Sequence, residues 1–128
     1  MTYYFAKTLN APFDDVVDRV TATLKDAGFG VLTTIDVQAT LKEKIGVDFP
    51  RYRILGACNP KLAHQALQAE NKIGTMLPCN VIVRDAGDGK VEVAAVDPVS
   101  SMQAVDNPAV GQVATSVQQK LKNVIESL

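Results

Sequence analysis

The sequence predicts an α+β fold, a largely antiparallel sheet with helices packed mainly on one face. Two observations carry this expectation. β-branched segments alternate with stretches whose apolar residues recur at helical spacing, in the order strand, helix, strand, short helix, strand, helix, hairpin, helix. The last two strands are joined by Asp85-Ala86-Gly87-Asp88-Gly89, a hairpin turn that makes neighbouring strands antiparallel. The 128 residues suit one domain, 1–128, with no repeat, low-complexity stretch or linker.

Each element has a local reason. Residues 2–8 alternate as a strand, with Tyr3, Phe5 and Lys7 on one face and Tyr4, Ala6 and Thr8 on the other. Asn10-Ala11-Pro12 opens a helix, and Asp14 and Asp15 suit the positive end of its dipole. Phe13, Val16, Val17, Val20, Leu24 and Ala27 form its apolar face. Gly28 stops it, with Phe29 folding back. Gly30 to Ile35 is rich in β-branched residues and reads as the second strand. Asp36 caps a short helix that places Val37, Leu41 and Ile45 on one side and ends at Gly46. Arg51 to Cys58 is the third strand. Asn59-Pro60 starts a helix to about Ala69, expected to bury Leu62, Ala63, Ala66 and Leu67. Val81–Arg84 and Lys90–Val96 flank the hairpin, and Asp97-Pro98 forms a turn after it. Asn107-Pro108 opens the last helix, whose expected buried stripe is Val110, Val113, Val117, Leu121, Val124 and Leu128.

Composition narrows the function classes. Hydrophobic residues make up 47% and charged residues 21%, enough for one core and a solvated surface. Net charge is −1, without a basic run, which disfavours nucleic-acid binding because phosphate neutralisation supplies much of that affinity. No apolar run reaches the roughly 18 residues of a membrane span. No signal peptide is expected, so the expected compartment is the cytoplasm. Two cysteines do not make a disulfide framework.

Five segments together resemble a known family. They are Phe13-Asp14-Asp15-Val16-Val17, Gly28-Phe29-Gly30-Val31-Leu32, Leu55-Gly56-Ala57-Cys58-Asn59-Pro60, Leu77-Pro78-Cys79-Asn80 and Val96-Asp97-Pro98. In this order they are similar to the domain of unknown function 302 family of bacterial and archaeal proteins. The resemblance covers nearly the whole chain. It implies a TATA-box-binding-protein-like β-α-β-β-β-β-α fold with extra short helices, and a homodimer. It implies no reaction.

The candidate site follows from strand order. If the third and fourth strands are antiparallel neighbours, Cys58 and Cys79 meet at one rim of the sheet, with Asn59 and Asn80 beside them. Cys58 precedes a helix N-terminus, where the dipole favours a thiolate. Set against this, both cysteines suit small apolar positions at strand ends. His64, the one histidine, lies a turn beyond Pro60. With Cys58, Cys79 and Met102 it makes a soft-metal or haem-iron set, although no CxxC and no second histidine is present. An exposed surface histidine is the alternative. Asp97 is a polar handle for the site or simply the cap of its own turn. Lys42, Glu43 and Lys44 read as a solvated face. No Walker loop, GxGxxG, GxSxG or HExxH occurs, so no catalytic residue is assigned.

Three functions stay open. The first is an accessory domain that binds a small molecule or a partner protein near Cys58, Asn59, Cys79, Asn80 and Asp97. The second is a thiol-redox or metal- or haem-binding protein using Cys58, Cys79 and His64. The third is a structural subunit with apolar residues exposed around Val110, Ala114 and Val124.

Overall fold

The computed structural model describes residues 2–128. The elements are β1 (Tyr4–Leu9), α1 (Phe13–Asp26), β2 (Gly30–Asp36), α2 (Val37–Ile45), β3 (Tyr52–Cys58), α3 (Pro60–Ala69), a 3-10 turn (Ile73–Met76), β4 (Cys79–Gly87), β5 (Lys90–Val96), α4 (Pro98–Ser101) and α5 (Pro108–Ser127). The strands form one antiparallel sheet in the order β1-β5-β4-β3-β2. The α+β expectation holds.

Strand alternation decides where the core lies. Leu55 and Ala57 of β3, Val81 and Val83 of β4, and Val91, Val93 and Ala95 of β5 share one face. There they pack with Val16, Val20 and Leu24 of α1 and Val117, Leu121 and Val124 of α5. Each such aliphatic side chain, taken fully out of water, contributes roughly 1.5–3 kcal/mol. A smaller cluster of Ala66, Ile73, Met102, Val110 and Ala114 fastens α3, the 3-10 turn and the α4 region to α5.

The helix ends follow the expected chemistry. Asn59 Oδ1 accepts from the Leu62 amide at 3.2 Å, and Asn107 Oδ1 accepts from the Ala109 amide at 3.1 Å. Asp36 accepts from the Ala39 amide at 3.0 Å. Gly28 adopts φ 91°, and the Phe29 amide reaches back to the Leu24 carbonyl at 2.8 Å.

Several expectations need correction. The first strand begins at Tyr4, and Pro12 is the residue before α1 rather than part of its first turn. The Asp97 turn is the start of a one-turn helix, and the 3-10 turn carries no apolar period that would have announced it. α2 buries nothing: its main contacts are with β3 and β2, and Ile45 is exposed. In α3 only Ala66 is fully buried and Leu67 is exposed. α5 turns Ala114 and Ile125 inward, while Val113 and Leu128 are half-buried. Val110, Ala114 and Val124 are buried, so the exposed apolar face imagined for the last helix does not exist.

Gly56 is the tightest point of the sheet. A β-carbon there would lie 2.8 Å from Pro78 Cγ and press on the Thr33 hydroxyl. The Pro78 ring has no freedom to swing away. Gly56→Ala should therefore destabilise the fold by about 1–3 kcal/mol. Urea unfolding of the variant tests this, and an unchanged midpoint would refute the close packing.

Candidate functional site

The register brings the two cysteines to one rim. Ala57 pairs with Cys79, so Cys58, the last residue of β3, lies one position past the first residue of β4. Strand alternation puts Cys79 on the core face with Ala57, and Cys58 leaves the strand on the other side. Both nonetheless border a single crevice between the sheet rim, α3, α4 and α5.

That crevice is small and almost wholly apolar. Its volume is about 30 Å³. Phe29 and Ala57 line it from the sheet side, Leu62 and Ala66 from α3, Val113 and Val117 from α5, and Leu77, Pro78 and Met102 close it. Asn59 is its one amide side chain, and the Asn59 carbonyl oxygen is already engaged as the α3 cap. Its sulfur content is high for so small a space, with Cys58, Cys79 and Met102 all bordering it.

The two thiols differ. Cys79 is buried and Cys58 is half-exposed; neither is in a disulfide. Burial, reinforced by the neighbouring Cys58, pushes the Cys79 thiol up to about 11. Cys79 is therefore a neutral, apolar wall of the crevice at ordinary pH.

The other predicted residues scatter. Asn80 pairs with Gly56 and is exposed on the opposite face of the sheet from Cys79. His64 is exposed on α3 and does not line the crevice. Asp97 is a structural cap. Its carboxylate accepts from the Val99 amide at 3.0 Å, the Ser100 amide at 3.5 Å and Gln118 Nε2 at 3.0 Å. The structure thus brings together Cys58, Asn59, Cys79 and Met102, and separates Asn80, His64 and Asp97 from them.

Asn80 instead borders a second hollow, on the uncovered sheet face. This groove of about 360 Å³ is lined by Tyr3, Tyr4, Tyr52, Asn80, Ile82 and Glu92, among others. All three tyrosines of the chain are there. The sequence showed each tyrosine on a strand but not that the ends of β1 and β3, with β5 and β4 between them, would place all three around one groove, which needs the cross-strand register.

Comparison with known proteins gives the family. Residues 5–128 match the model described as "Domain of unknown function DUF302". The chain belongs to the DUF302 family. A solved structure of an uncharacterized conserved protein DUF302 from Bacillus stearothermophilus is 26% identical, covers 98% of both chains and superposes with a TM-score of 0.89. No curated protein matches. Membership in DUF302 bears out the resemblance carried by the Cys58-Asn59-Pro60 and Pro78-Cys79-Asn80 segments. Among the described residues, no helix is long and apolar enough to cross a membrane.

The thiols of this DUF302 chain should respond differently to alkylation. At pH 8 iodoacetamide should modify Cys58 quickly and Cys79 slowly, as read by mass spectrometry. The rate at Cys79 should climb only as pH approaches 11. Stability has a matching sign. The unfolded chain ionises Cys79 at the ordinary 9.0 and the folded chain near 11, so this contribution is whole below pH 9 and is lost as pH rises through 11. Equal alkylation rates in the native state would contradict the buried assignment.

Proposed function

We propose that this chain is a binding accessory domain, and that the sulfur-lined crevice at the sheet rim seats a small apolar group. The observation that carries this reading is the character of the lining. Around 30 Å³ of space is walled by aliphatic carbon and three sulfur-bearing side chains, with one amide at its edge. A water molecule needs roughly 10–15 Å³ measured this way and two or more polar partners. The crevice offers the room for more than one water and almost none of the partners, so an apolar guest suits it better.

Size sets the class of guest. Sites for drug-sized molecules run to roughly 300–1,000 Å³. The crevice takes something nearer a methyl or ethyl group, such as the tip of a partner protein's aliphatic side chain or the end of a short alkyl ligand. Met102 suits such a task because its unbranched thioether adapts to irregular gaps. Cys58, at the accessible side, is the group through which a bound molecule would be sensed or held.

The thiol-redox reading finds less support. A resolving partner has to exchange readily, and burial holds Cys79 in its unreactive thiol form. The metal or haem reading loses its one imidazole, since His64 does not border the crevice.

Xenon is a suitable probe because it is apolar and small. Under xenon pressure, methyl NMR signals of Met102, Leu62 and Val117 should shift saturably, while those of Leu9 and Val91 stay in place. Ala63→Leu, which fills the crevice from its half-buried α3 side, should abolish the shifts. Shifts that are absent, or spread evenly over the core, would refute the reading.

A further inference from the structure

The rim crevice is so small that binding strength becomes the question. Its space suits a guest near the size of a methyl group, which has little surface to bury. At the ceiling of what one heavy atom contributes, a free molecule of that size is held no tighter than about 0.1 M. The guest is therefore tethered, so that a bond rather than the contact holds it in place. The tether is either a larger molecule outside the crevice or a bond to the chain itself.

The chain can supply that bond. Cys58 borders the crevice and is half-exposed, so one residue adjoins both the apolar space and solvent. It is the one nucleophile of the lining with access to water, since Cys79 is buried and Met102 is a thioether. Whatever Cys58 carries has to match the walls. An added oxygen, as in a sulfenic acid, is polar and finds only the Asn59 amide at the crevice edge. An added sulfur is apolar and polarisable, has about the bulk of a methyl group, and suits contact with Cys79 and Met102. One S–S bond extends the side chain by about 2 Å, which reaches into the space beside it.

We infer that the crevice holds a sulfane sulfur atom, carried as a persulfide on Cys58, and that the chain accepts and passes on single sulfur atoms. The inference rests on the crevice reading proposed above and names its guest.

The exchange balances without a separate oxidant. The Cys58 thiolate attacks the outer sulfur of a low-molecular-weight persulfide, R–S–SH. The donor's S–S bond breaks, R–S⁻ leaves, and Cys58–S–SH remains. An acceptor thiolate then attacks that outer sulfur in the same way, and Cys58 leaves as its thiolate. One reacting thiol is enough, which separates this chemistry from a two-thiol redox pair.

Cys79 has a defined part. As a thiolate it would attack the inner sulfur of the persulfide, close a Cys58–Cys79 disulfide and expel hydrosulfide. Burial keeps Cys79 a neutral thiol up to about 11, so the persulfide survives beside it.

Glutathione persulfide near neutral pH tests this on the full chain. After removal of the reagent, the intact mass should rise by one sulfur atom. Peptide mapping should place that atom on Cys58 and leave Cys79 free, and Cys58→Ser should gain none. In the sulfurated chain the xenon-induced shifts of Met102, Leu62 and Val117 should be lost, because the added atom occupies the same space. Cyanide removes a sulfane sulfur as thiocyanate. It should act on the wild type ~10-fold more slowly than on Ala63→Leu, whose filled crevice leaves the sulfur outside, because a seated atom reacts only on local opening. Should that variant fail to fold, the xenon readout on the wild type decides. The inference is overturned, with the crevice reading left standing, by any of four results. These are no sulfur on Cys58, a glutathione adduct or Cys58–Cys79 disulfide in its place, xenon shifts that persist in the sulfurated chain, or equal cyanide rates. Xenon shifts missing from the unmodified chain would sink both.

Discussion

The packing of Val81, Val83 and Val93 against Val16, Val20 and Leu121 is the constraint on which the remaining structure depends. These side chains have no exposed surface at all. They weld two helices from opposite ends of the chain to one face of a five-stranded sheet. Because a strand's side chains alternate, committing the odd members of β4 and β5 to that core commits the even members to the other face. The molecule is therefore two-sided by construction. One side is finished within the chain; the other presents Ala94, Ile82 and Ile54 with nothing of the buried clusters over them.

The same geometry makes the rim. β3 ends and β4 begins at one edge of the sheet, and the chain between them must cover that edge with α3 and the 3-10 turn. Asparagine at position 59 lets α3 start immediately after the strand, by satisfying a free amide of its first turn. The short α3 then meets α5 through alanines, Ala66 and Ala114, which fill less space than leucines would. The crevice bordered by Cys58, Cys79 and Met102 is what remains at this junction of small residues. Its apolar character is a consequence of where it forms, over the edge of the core.

Much of the fold was legible because its punctuation is chemical. Asn59-Pro60, Asn107-Pro108, Asp36 and Gly28 each announce a helix end through a hydrogen bond or a backbone angle that local sequence dictates. Cys58 and Cys79 could be placed at a common rim because adjacency of consecutive antiparallel strands is enough to do so. The positions read less well are those decided at longer range. Ile45 and Leu67 have helical spacing but lie where no core reaches them, so periodicity overstated their burial. Asn80 follows Cys79 directly, and sequence proximity suggested a shared site, yet alternation turns it to the opposite face. The tyrosine groove joins residues from opposite ends of the chain, such as Tyr4 and Val96, and only register brings them together.

The two-sided sheet is most directly tested by comparing neighbours of nearly equal size on one strand. Leu55 is 1% exposed on the core face, and Ile54 is its half-buried neighbour on the open face. Urea unfolding of each alanine variant gives the two costs. The account predicts a loss of about 2–5 kcal/mol for Leu55→Ala and a far smaller one for Ile54→Ala. Equal losses at the two positions would contradict it.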